Sequence, residues 1–227
     1  MKGKTMKLPH QNDLFDLSHT AAKNVFSDGE PYNVLTKIKE CCLEIINSLS
    51  YDYTEIRDGV FAAADAKISD MATIHGPTII GHKTEIRPGA FIRGSVIIGD
   101  GVVIGNSTEI KNSVIFDEAQ LPHYNYVGDS IIGYRAHLGA GAIISNFRLD
   151  RKTVRIKADG EKIDTGLRKM GALLGDYTEI GSNSVIYPGS IIGRRCVIYP
   201  LSRVYGIVPE NHYYYSENSI SERKDLH

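Results

Sequence analysis

Residues 78–110 read TIIGHKTEIRPGAFIRGSVIIGDGVVIGNSTEI, and an isoleucine returns in this stretch at every sixth position. The isoleucines that keep this period are Ile80, Ile86, Ile92, Ile98, Ile104 and Ile110. Six residues advance an α-helix by about 240° net, so a helix would spread these side chains around its whole circumference. A triangular coil in which three hexads close one turn keeps them all inside. The stretch therefore predicts an all-β domain, a parallel β-helix of stacked six-residue repeats.

The six-residue period continues on both sides of this stretch and is interrupted twice. Its further positions are Ile68, Ile74, Phe116, Ile132, Leu138, Ile144, Leu174, Ile180, Ile186, Ile192, Ile198 and Val204. The two interruptions predict a loop over residues 117–130 and an insertion over residues 145–173. Alternation of side chains about Asp159-Gly160 predicts that the insertion is a β-hairpin with its turn at this pair.

The chain divides into three parts. Residues 1–58 form an N-terminal segment in which residues 33–49 show an amphipathic helical pattern, preceded by apolar residues and a turn at residues 27–29. We expect this short helical segment to act as a cap or docking arm that covers the first coil. Residues 59–208 form the β-helix. Residues 209–227 form a tyrosine-rich tail for which the sequence predicts no structure.

The composition limits what the protein can bind. Of its 227 residues 42% are hydrophobic, which is enough for one sizeable core. The 26 Lys and Arg residues are balanced by 27 Asp and Glu residues, so no overall basic field attracts a nucleic acid or a membrane surface. The 3 cysteines suit neither a disulfide framework nor a metal site, and no apolar run approaches about eighteen residues. We expect a cytoplasmic protein that is neither exported nor membrane-spanning.

The predicted hairpin insertion departs from this balance of charge. Its eight basic residues face four acidic residues, which leaves a local excess of +4. The basic residues are Arg148, Arg151, Lys152, Arg155, Lys157, Lys162, Arg168 and Lys169, and the acidic residues are Asp150, Asp159, Glu161 and Asp164. A cluster of this kind suits the phosphates of a substrate or a cofactor.

Three stretches of sequence resemble a known enzyme family. Residues 76–113 (GPTIIGHKTEIRPGAFIRGSVIIGDGVVIGNSTEIKNS) and residues 123–147 (HYNYVGDSIIGYRAHLGAGAIISNF) resemble the C-terminal acetyltransferase domain of the bifunctional N-acetylglucosamine-1-phosphate uridyltransferase/glucosamine-1-phosphate acetyltransferase, a hexapeptide-repeat acyltransferase. Residues 146–176 look closer to the acetyltransferase tail of archaeal-type sugar-1-phosphate nucleotidylyltransferases. The resemblance covers roughly residues 66–208, and we find no counterpart of the nucleotidyltransferase domain ahead of it.

The resemblance implies a fold, a reaction and an assembly. Members are left-handed β-helices that transfer an acetyl group from acetyl-CoA, as co-substrate, to an amino-sugar phosphate in UDP-GlcNAc biosynthesis. It therefore implies an N-acetyltransferase for glucosamine-1-phosphate or galactosamine-1-phosphate, which works by direct attack and without a metal. It also implies a homotrimer with sites between subunits.

The family's motifs place specific roles on this sequence. The histidine of H-x-x-Y-x-G-D makes His123 the general base, and imidazole, with a pKa near about 6.5, suits proton transfer near neutrality. Substrate contacts carry over to Arg87, Lys111, Tyr126, His137 and Lys152. Cofactor contacts carry over to Ala140, Asn146, Phe147 and Ser182, with the Ala140 backbone N–H as the oxyanion donor.

Two details of this assignment carry further expectations. Arg87 and Lys111 lie 24 positions apart in the sequence, and we expect both to project outward at similar heights and to clamp one phosphate. His137 and Phe147 stand where the family has asparagine and tyrosine, so the sugar specificity stays open.

Two alternatives belong to other functional classes. A γ-type carbonic anhydrase shares the β-helix and needs three zinc histidines, but His75, His82, His123 and His137 do not reproduce its spacing. The other alternative is a non-catalytic trimeric scaffold, or a subunit partnering a separate sugar-phosphate nucleotidyltransferase. In that case coenzyme A would not bind.

Overall fold

The computed structural model describes residues 8–26, 29–158 and 160–224. Its helices are α1 (Gln11–Leu14) and α2 (Ile38–Ile46), and 3-10 turns lie at Leu17–His19, Lys23–Val25 and Pro31–Thr36. Its strands in chain order are β1 (Tyr53–Arg57), β2 (Val60–Ala63), β3 (Lys67–Ile68), β4 (Thr73–Ile74), β5 (Thr78–Ile80), β6 (Glu85–Ile86), β7 (Phe91–Ile92), β8 (Val96–Ile98), β9 (Val103–Asn106), β10 (Glu109–Ile115), β11 (Gln120–His123), β12 (Tyr126–Ile132), β13 (His137–Leu138), β14 (Ile143–Ile144), β15 (Arg155–Ala158), β16 (Glu161–Asp164), β17 (Ala172–Leu174), β18 (Glu179–Ile180), β19 (Val185–Ile186), β20 (Ser190–Ile192), β21 (Val197–Ile198), β22 (Arg203–Val204), β23 (Ile207–Val208), β24 (His212–Ser216) and β25 (Ser219–Glu222).

The strands stack in three columns that form the faces of a triangular prism. The covered face, on which other segments pack, contains β2, β5, β8, the C-terminal halves of β10 and β12, β17, β20 and β23. The second face contains β3, β6, β9, β11, β13, β18, β21 and β24. The third face contains β4, β7, the N-terminal halves of β10 and β12, β14, β19 and β22. Successive strands in each column are parallel, and the fold is a left-handed parallel β-helix, as the resemblance implied.

The core inside the prism contains the predicted periodic residues with one exception. Ile115 lies inside, whereas Phe116 belongs to a separate cluster outside the covered face. Ile98 pairs with Ile115, seventeen residues further along, whereas Ile80 pairs with Ile98 at eighteen. This coil is therefore one residue shorter than three hexads, and the assignment of Phe116 to the core was wrong.

Residues 117–130 continue the coil, so the predicted loop is also wrong. β11 and β12 pair with the strands of neighbouring coils, and Leu121 and Val127 point into the core. The apparent slip comes from two corners with one residue fewer, at residues 111–113 and 128–130. At the tip of these corners Asn112 and Asp129 adopt left-handed φ values of 43° and 49°.

Most of the N-terminal segment packs along the covered face, and only its last strand covers the first coil. Phe116 projects outward there and meets Phe15 and Phe26, with ring centroids 5.2 and 5.8 Å away. Ile38 and Cys42 of α2 are fully buried in the same outer cluster, which includes the outward aliphatic residues of β5, β8, β10 and β12. These outward residues explain the location, because burying apolar surface stabilises the fold by about 25 cal/mol per Å².

The boundaries of the N-terminal segment also differ from the prediction. The helical pattern of residues 33–49 is divided between the 3-10 turn that starts at Pro31 and the shorter helix α2. The segment ends in β1, and this strand, which pairs antiparallel with β2, is the part that covers the first coil. The predicted turn at residues 27–29 lies largely outside the described residues, since only Gly29 of the three is described.

The insertion contains the predicted hairpin, formed by the antiparallel strands β15 and β16. Asp159, in its predicted turn, lies outside the described residues. Val154, Ile156 and Met170 are fully buried against the covered face. Gly189 lets the hairpin approach closely, because a Cβ there would lie 2.7 Å from the Arg155 carbonyl oxygen. The hairpin thus extends the cover that the N-terminal segment begins.

The tyrosine-rich tail continues the β-helix beyond residue 208, the end that the sequence predicts. β24 pairs with β21 on the second face, and Tyr214 enters the core. β25 then pairs antiparallel with β24. No helix among the described residues is long and apolar enough to cross a membrane.

Candidate functional site

Most of the predicted site residues fall on or beside the two edges of the third face. The histidine edge lies between the second and third faces and contains His123, Ala140 and Ser182. The lysine edge lies between the third and covered faces and contains Lys111 and Asn146.

A buried carboxylate organises the lysine edge. Asp129 accepts hydrogen bonds from Lys111 Nζ at 3.2 Å, from Asn112 Nδ2 at 2.9 Å and from Asn146 Nδ2. These residues stack at successive corners because the coils bring one residue of each turn to the same place. A buried charge is tolerated when it is paired and hydrogen-bonded, and Asp129 meets both conditions. Lys111 and Asn146 are therefore held in fixed positions.

A cavity of about 350 Å³ opens on this edge. It is lined by Arg93, Lys111, Tyr126, Asn146, Phe147 and Lys169. The Tyr126 hydroxyl lies 3.5 Å from Asn146 Oδ1, and burial raises the pKa of Tyr126 above its ordinary value. Lys111, Tyr126, Asn146 and Phe147 were predicted as site residues, and the structure brings them together.

The predicted clamp of Arg87 and Lys111 does not exist within one chain. A coil takes about eighteen residues, so a separation of 24 carries Arg87 one face too far, to the histidine edge. There its guanidinium pairs with Glu85 at 2.9 Å. Arg93, eighteen positions before Lys111, lies in the cavity instead and pairs with Glu109 at 2.7 Å.

The insertion contributes a different lysine from the one predicted. Lys152 is exposed just ahead of β15 and lines none of the four cavities of about 280, 350, 470 and 750 Å³. Lys169 lies where the insertion returns to the coil, and Arg168 and Lys169 both line a second cavity of about 470 Å³ beside the first. Neither side chain has an ion-pair partner among residues 8–26, 29–158 and 160–224.

The histidine edge is exposed and consists of regular corners. The carbonyl of His123 accepts the N–H of Gly141, and the carbonyl of Ala140 accepts the N–H of Asn183. His123, Ala140 and Ser182 therefore occupy corresponding positions on successive coils. The side chain of His123 is exposed and makes no hydrogen bond within the described part of the chain. An unengaged imidazole at a corner is free to meet a substrate.

His137 lies on the second face, away from the lysine edge. Its Nδ1 is 2.8 Å from Glu179 Oε2, and it borders a shallow cavity of about 280 Å³ with Ser182 and Tyr199. The predicted contact of His137 with a substrate held at Lys111 is thus not formed within a single chain. Along the coil, the His123 corner and the Lys111 corner are separated by at most about 17 Å of strand.

A larger groove of about 750 Å³ crosses the third face beyond these corners. Its walls include Phe147, Arg148, Tyr187, Arg203, Tyr205 and Tyr215. Aromatic rings and guanidinium groups at one place suit a ligand with a flat ring and phosphates. The groove adjoins the lysine edge through Phe147, which lines both cavities.

Sequence reasoning missed three residues of the lysine edge. Arg93 could have been found from the eighteen-residue coil, and Asp129 from its place in the H-x-x-Y-x-G-D motif. No signal in the sequence marks Lys169 among the eight basic residues of the insertion. Among the described residues, no group of three or more His, Cys, Asp or Glu side chains lies close enough together to hold a metal ion.

Comparison with known families and proteins finds matches along most of the chain. The family described as GMPPB C-terminal domain matches residues 74–160, and the family described as bacterial transferase hexapeptide (six repeats) matches residues 171–206. The bifunctional sugar-1-phosphate nucleotidylyltransferase/acetyltransferase of Sulfurisphaera tokodaii is 36% identical over 176 residues, which cover 76% of this chain and 44% of that protein. The uncharacterized acetyltransferase YaiX of Escherichia coli is 35% identical over 155 residues, 68% of this chain and 66% of YaiX.

The extent of these matches limits what they show. The chain spans less than half the length of the first curated relatives that it matches. Among solved structures, the N-acyltransferase AntD of Bacillus cereus is 19% identical, with a TM-score of 0.42, over 78% of this chain and 93% of AntD. A score this low does not bear on function.

Proposed function

For this chain, which is by sequence and fold of the hexapeptide-repeat acyltransferase type, we propose an acetyl-CoA-dependent N-acetyltransferase that acts on an amino-sugar phosphate. The acceptor is glucosamine-1-phosphate or galactosamine-1-phosphate. The proposal draws on the resemblance to the acetyltransferase domain of the bifunctional enzymes and on the charge of the lysine edge.

The observation that carries the proposal is the charge of the two adjoining cavities. Among the residues that the structure describes, Arg93, Lys111, Arg168 and Lys169 face only two carboxylates, Asp129 and Glu109. Four positive charges against two negative charges leave an excess of +2. A phosphate monoester group carries about −1.5 to −2 at pH 7, so this group and the basic excess of the two cavities neutralise each other.

His123 is the proposed general base. The amine nitrogen of the acceptor attacks the thioester carbon, and His123 takes the proton that the nitrogen loses. As the new C–N bond forms, the C–S bond breaks and the sulfur leaves as a thiolate, which receives that proton. The Ala140 backbone N–H donates to the developing oxyanion. Tyr126 and Lys111 hold the acceptor.

The groove on the third face is the proposed place of acetyl-CoA. Its volume suits an extended cofactor, and its tyrosines and arginines suit an adenine ring and phosphates. Phe147 and Asn146 lie at its border with the acceptor cavity, and Ala140 and Ser182 lie on the opposite edge of the same face. The thioester would meet the acceptor near this border.

We propose that the site is completed between subunits of a homotrimer. Within one chain His123 and Lys111 stand on different edges of the third face. The N-terminal segment and the hairpin pack on the covered face, so the second and third faces stay accessible to another subunit. A neighbour that presents its histidine edge to the lysine edge of this chain would join the two groups. Three such contacts close a ring.

The test measures release of coenzyme A thiol from acetyl-CoA with purified protein. We expect glucosamine-1-phosphate or galactosamine-1-phosphate to stimulate release, and the matching sugars without phosphate to do so far less. If no amino-sugar phosphate stimulates release, the proposed function is wrong. Calorimetry with coenzyme A distinguishes the scaffold alternative, because a scaffold would bind none.

A further inference from the structure

The N-terminal segment reaches the acceptor site at one point. Leu35 and Thr36, at the end of the 3-10 turn before α2, line the 470 Å³ cavity opposite Arg168 and Lys169. Asp129 lines the same cavity and also bonds to Lys111 in the neighbouring one. The two cavities adjoin, because Phe147 and Lys169 line both of them, and the N-terminal segment lines the one that does not include Tyr126.

The contact is tied directly to the carboxylate that organises the lysine edge. Asn112 Nδ2 donates to the Leu35 carbonyl oxygen at 3.1 Å and to Asp129 Oδ1 at 2.9 Å. Asn112 stands at the tip of one of the two shortened corners. The position of Leu35 is thus linked through a single amide to the residue that holds Lys111.

The segment is anchored firmly enough to serve as a wall. Asp176 accepts the Asp16 N–H at 2.7 Å, the Asp117 N–H donates to the His19 carbonyl, and Phe15 is fully buried. Thr36 itself is exposed, and its hydroxyl donates to the Asn33 carbonyl at 2.9 Å. Thr36 therefore presents bulk to the cavity on a fixed support.

We propose that Leu35 and Thr36 form a wall of the acceptor site, and that Thr36 limits the size of the group that an amino-sugar phosphate carries on the side away from Lys111. The inference rests on the proposed function. It assigns the N-terminal segment a part in substrate selection, and Thr36 is a specificity-determining residue.

The experiment places a single reactive thiol on the wall. Thr36→Cys, at the end of the 3-10 turn before α2, is compared with Asn47→Cys, an exposed neutral residue that directly follows the other end of α2. The native thiols interfere little, because burial raises the pKa of Cys41 and Cys196 to about 11 and that of Cys42 to about 12, and only the thiolate reacts. The rate of maleimide labelling is measured with and without glucosamine-1-phosphate, and again with inorganic phosphate.

We expect glucosamine-1-phosphate to slow labelling at position 36 and to leave labelling at position 47 unchanged. Maleimide at position 36 should raise the KM for the acceptor by about tenfold or more, a methylthio adduct should raise it less, and the KM for acetyl-CoA should stay the same. Melting temperatures measured on both variants establish that each is folded.

The outcomes separate the two proposals. If the protein acetylates the acceptor but the acceptor neither protects position 36 nor loses affinity on labelling, the wall is wrong and the function stands. If no amino-sugar phosphate is acetylated, the proposed function is wrong, and protection by inorganic phosphate then decides the wall. Slower labelling of position 36 in the presence of inorganic phosphate supports the wall. If phosphate has the same effect on the labelling rate at positions 36 and 47, the wall is wrong.

Discussion

The two edges of the third face are built differently although they belong to the same coils. The lysine edge contains both shortened corners and a buried network in which Asp129 fixes Lys111 and Asn146. The histidine edge keeps regular hexads, and His123 is exposed there without a hydrogen bond to the described part of the chain. The lysine edge is thus arranged for binding within a single chain. The position of the His123 side chain on the histidine edge depends on what packs against that edge.

Replacing the imidazole breaks the histidine edge and should have the largest effect. General bases contribute about 10²–10⁴-fold to rate, so His123→Ala should lower kcat by at least about a hundredfold. Binding of glucosamine-1-phosphate, measured by calorimetry, should change little because the lysine edge is intact. His212→Ala, on the last coil, is the control. A variant that keeps the native rate would remove His123 from the mechanism.

Mixing two inactive variants tests whether the edges meet between subunits. When His123→Ala and Lys111→Ala chains are co-expressed with different tags and the mixed trimers are purified, about one in three interfaces has both native groups. We expect the mixed trimers to recover about a third of the native rate. Recovery no greater than that of either variant alone would mean that both groups act within one chain, or that the chains do not assemble.

Replacing one of two lysines in the insertion, Lys169 or Lys152, should give the smallest of the three effects on activity. Lys169→Ala removes a charge from the acceptor cavity and should raise the KM for the sugar phosphate by about tenfold, which corresponds to about 1.4 kcal/mol. Lys152→Ala removes the same charge outside the cavity and should leave the KM unchanged. Equal effects of both variants would point to a general field of the insertion and not to a contact made by Lys169.

The regular part of the fold follows from the sequence because one physical requirement repeats. Each inward position must be apolar and each corner tight, so the isoleucines of residues 78–110 and the later run from Leu174 predict the core. The one core error, Phe116, arose because Ile115 and Phe116 are both apolar and both buried, one inside the prism and one outside. Hydrophobicity alone does not distinguish these two environments.

The site was less predictable because its geometry depends on packing between distant segments. Tyr126 and Asn146 follow from motifs that stay within the coils. The approach of Lys169 depends on how Val154 and Ile156 bury the hairpin against the covered face, and that of Thr36 depends on where the N-terminal segment docks. Neither docking site has a sequence period of its own.

The antiparallel strands β1 and β25 have a consequence for behaviour at high concentration. A stack of parallel strands offers the next rung of a ladder at each end, and such open ends invite polymerisation into filaments. Here β1 lies beside β2 at one end of the stack, and β25 lies beside β24 at the other end. Each of these two strands is antiparallel to its neighbour. Both strands carry exposed charged residues, among them Glu55, Arg57 and Glu222. Terminal strands that are charged and antiparallel to the rest of the stack oppose the end-to-end joining of one molecule to the next.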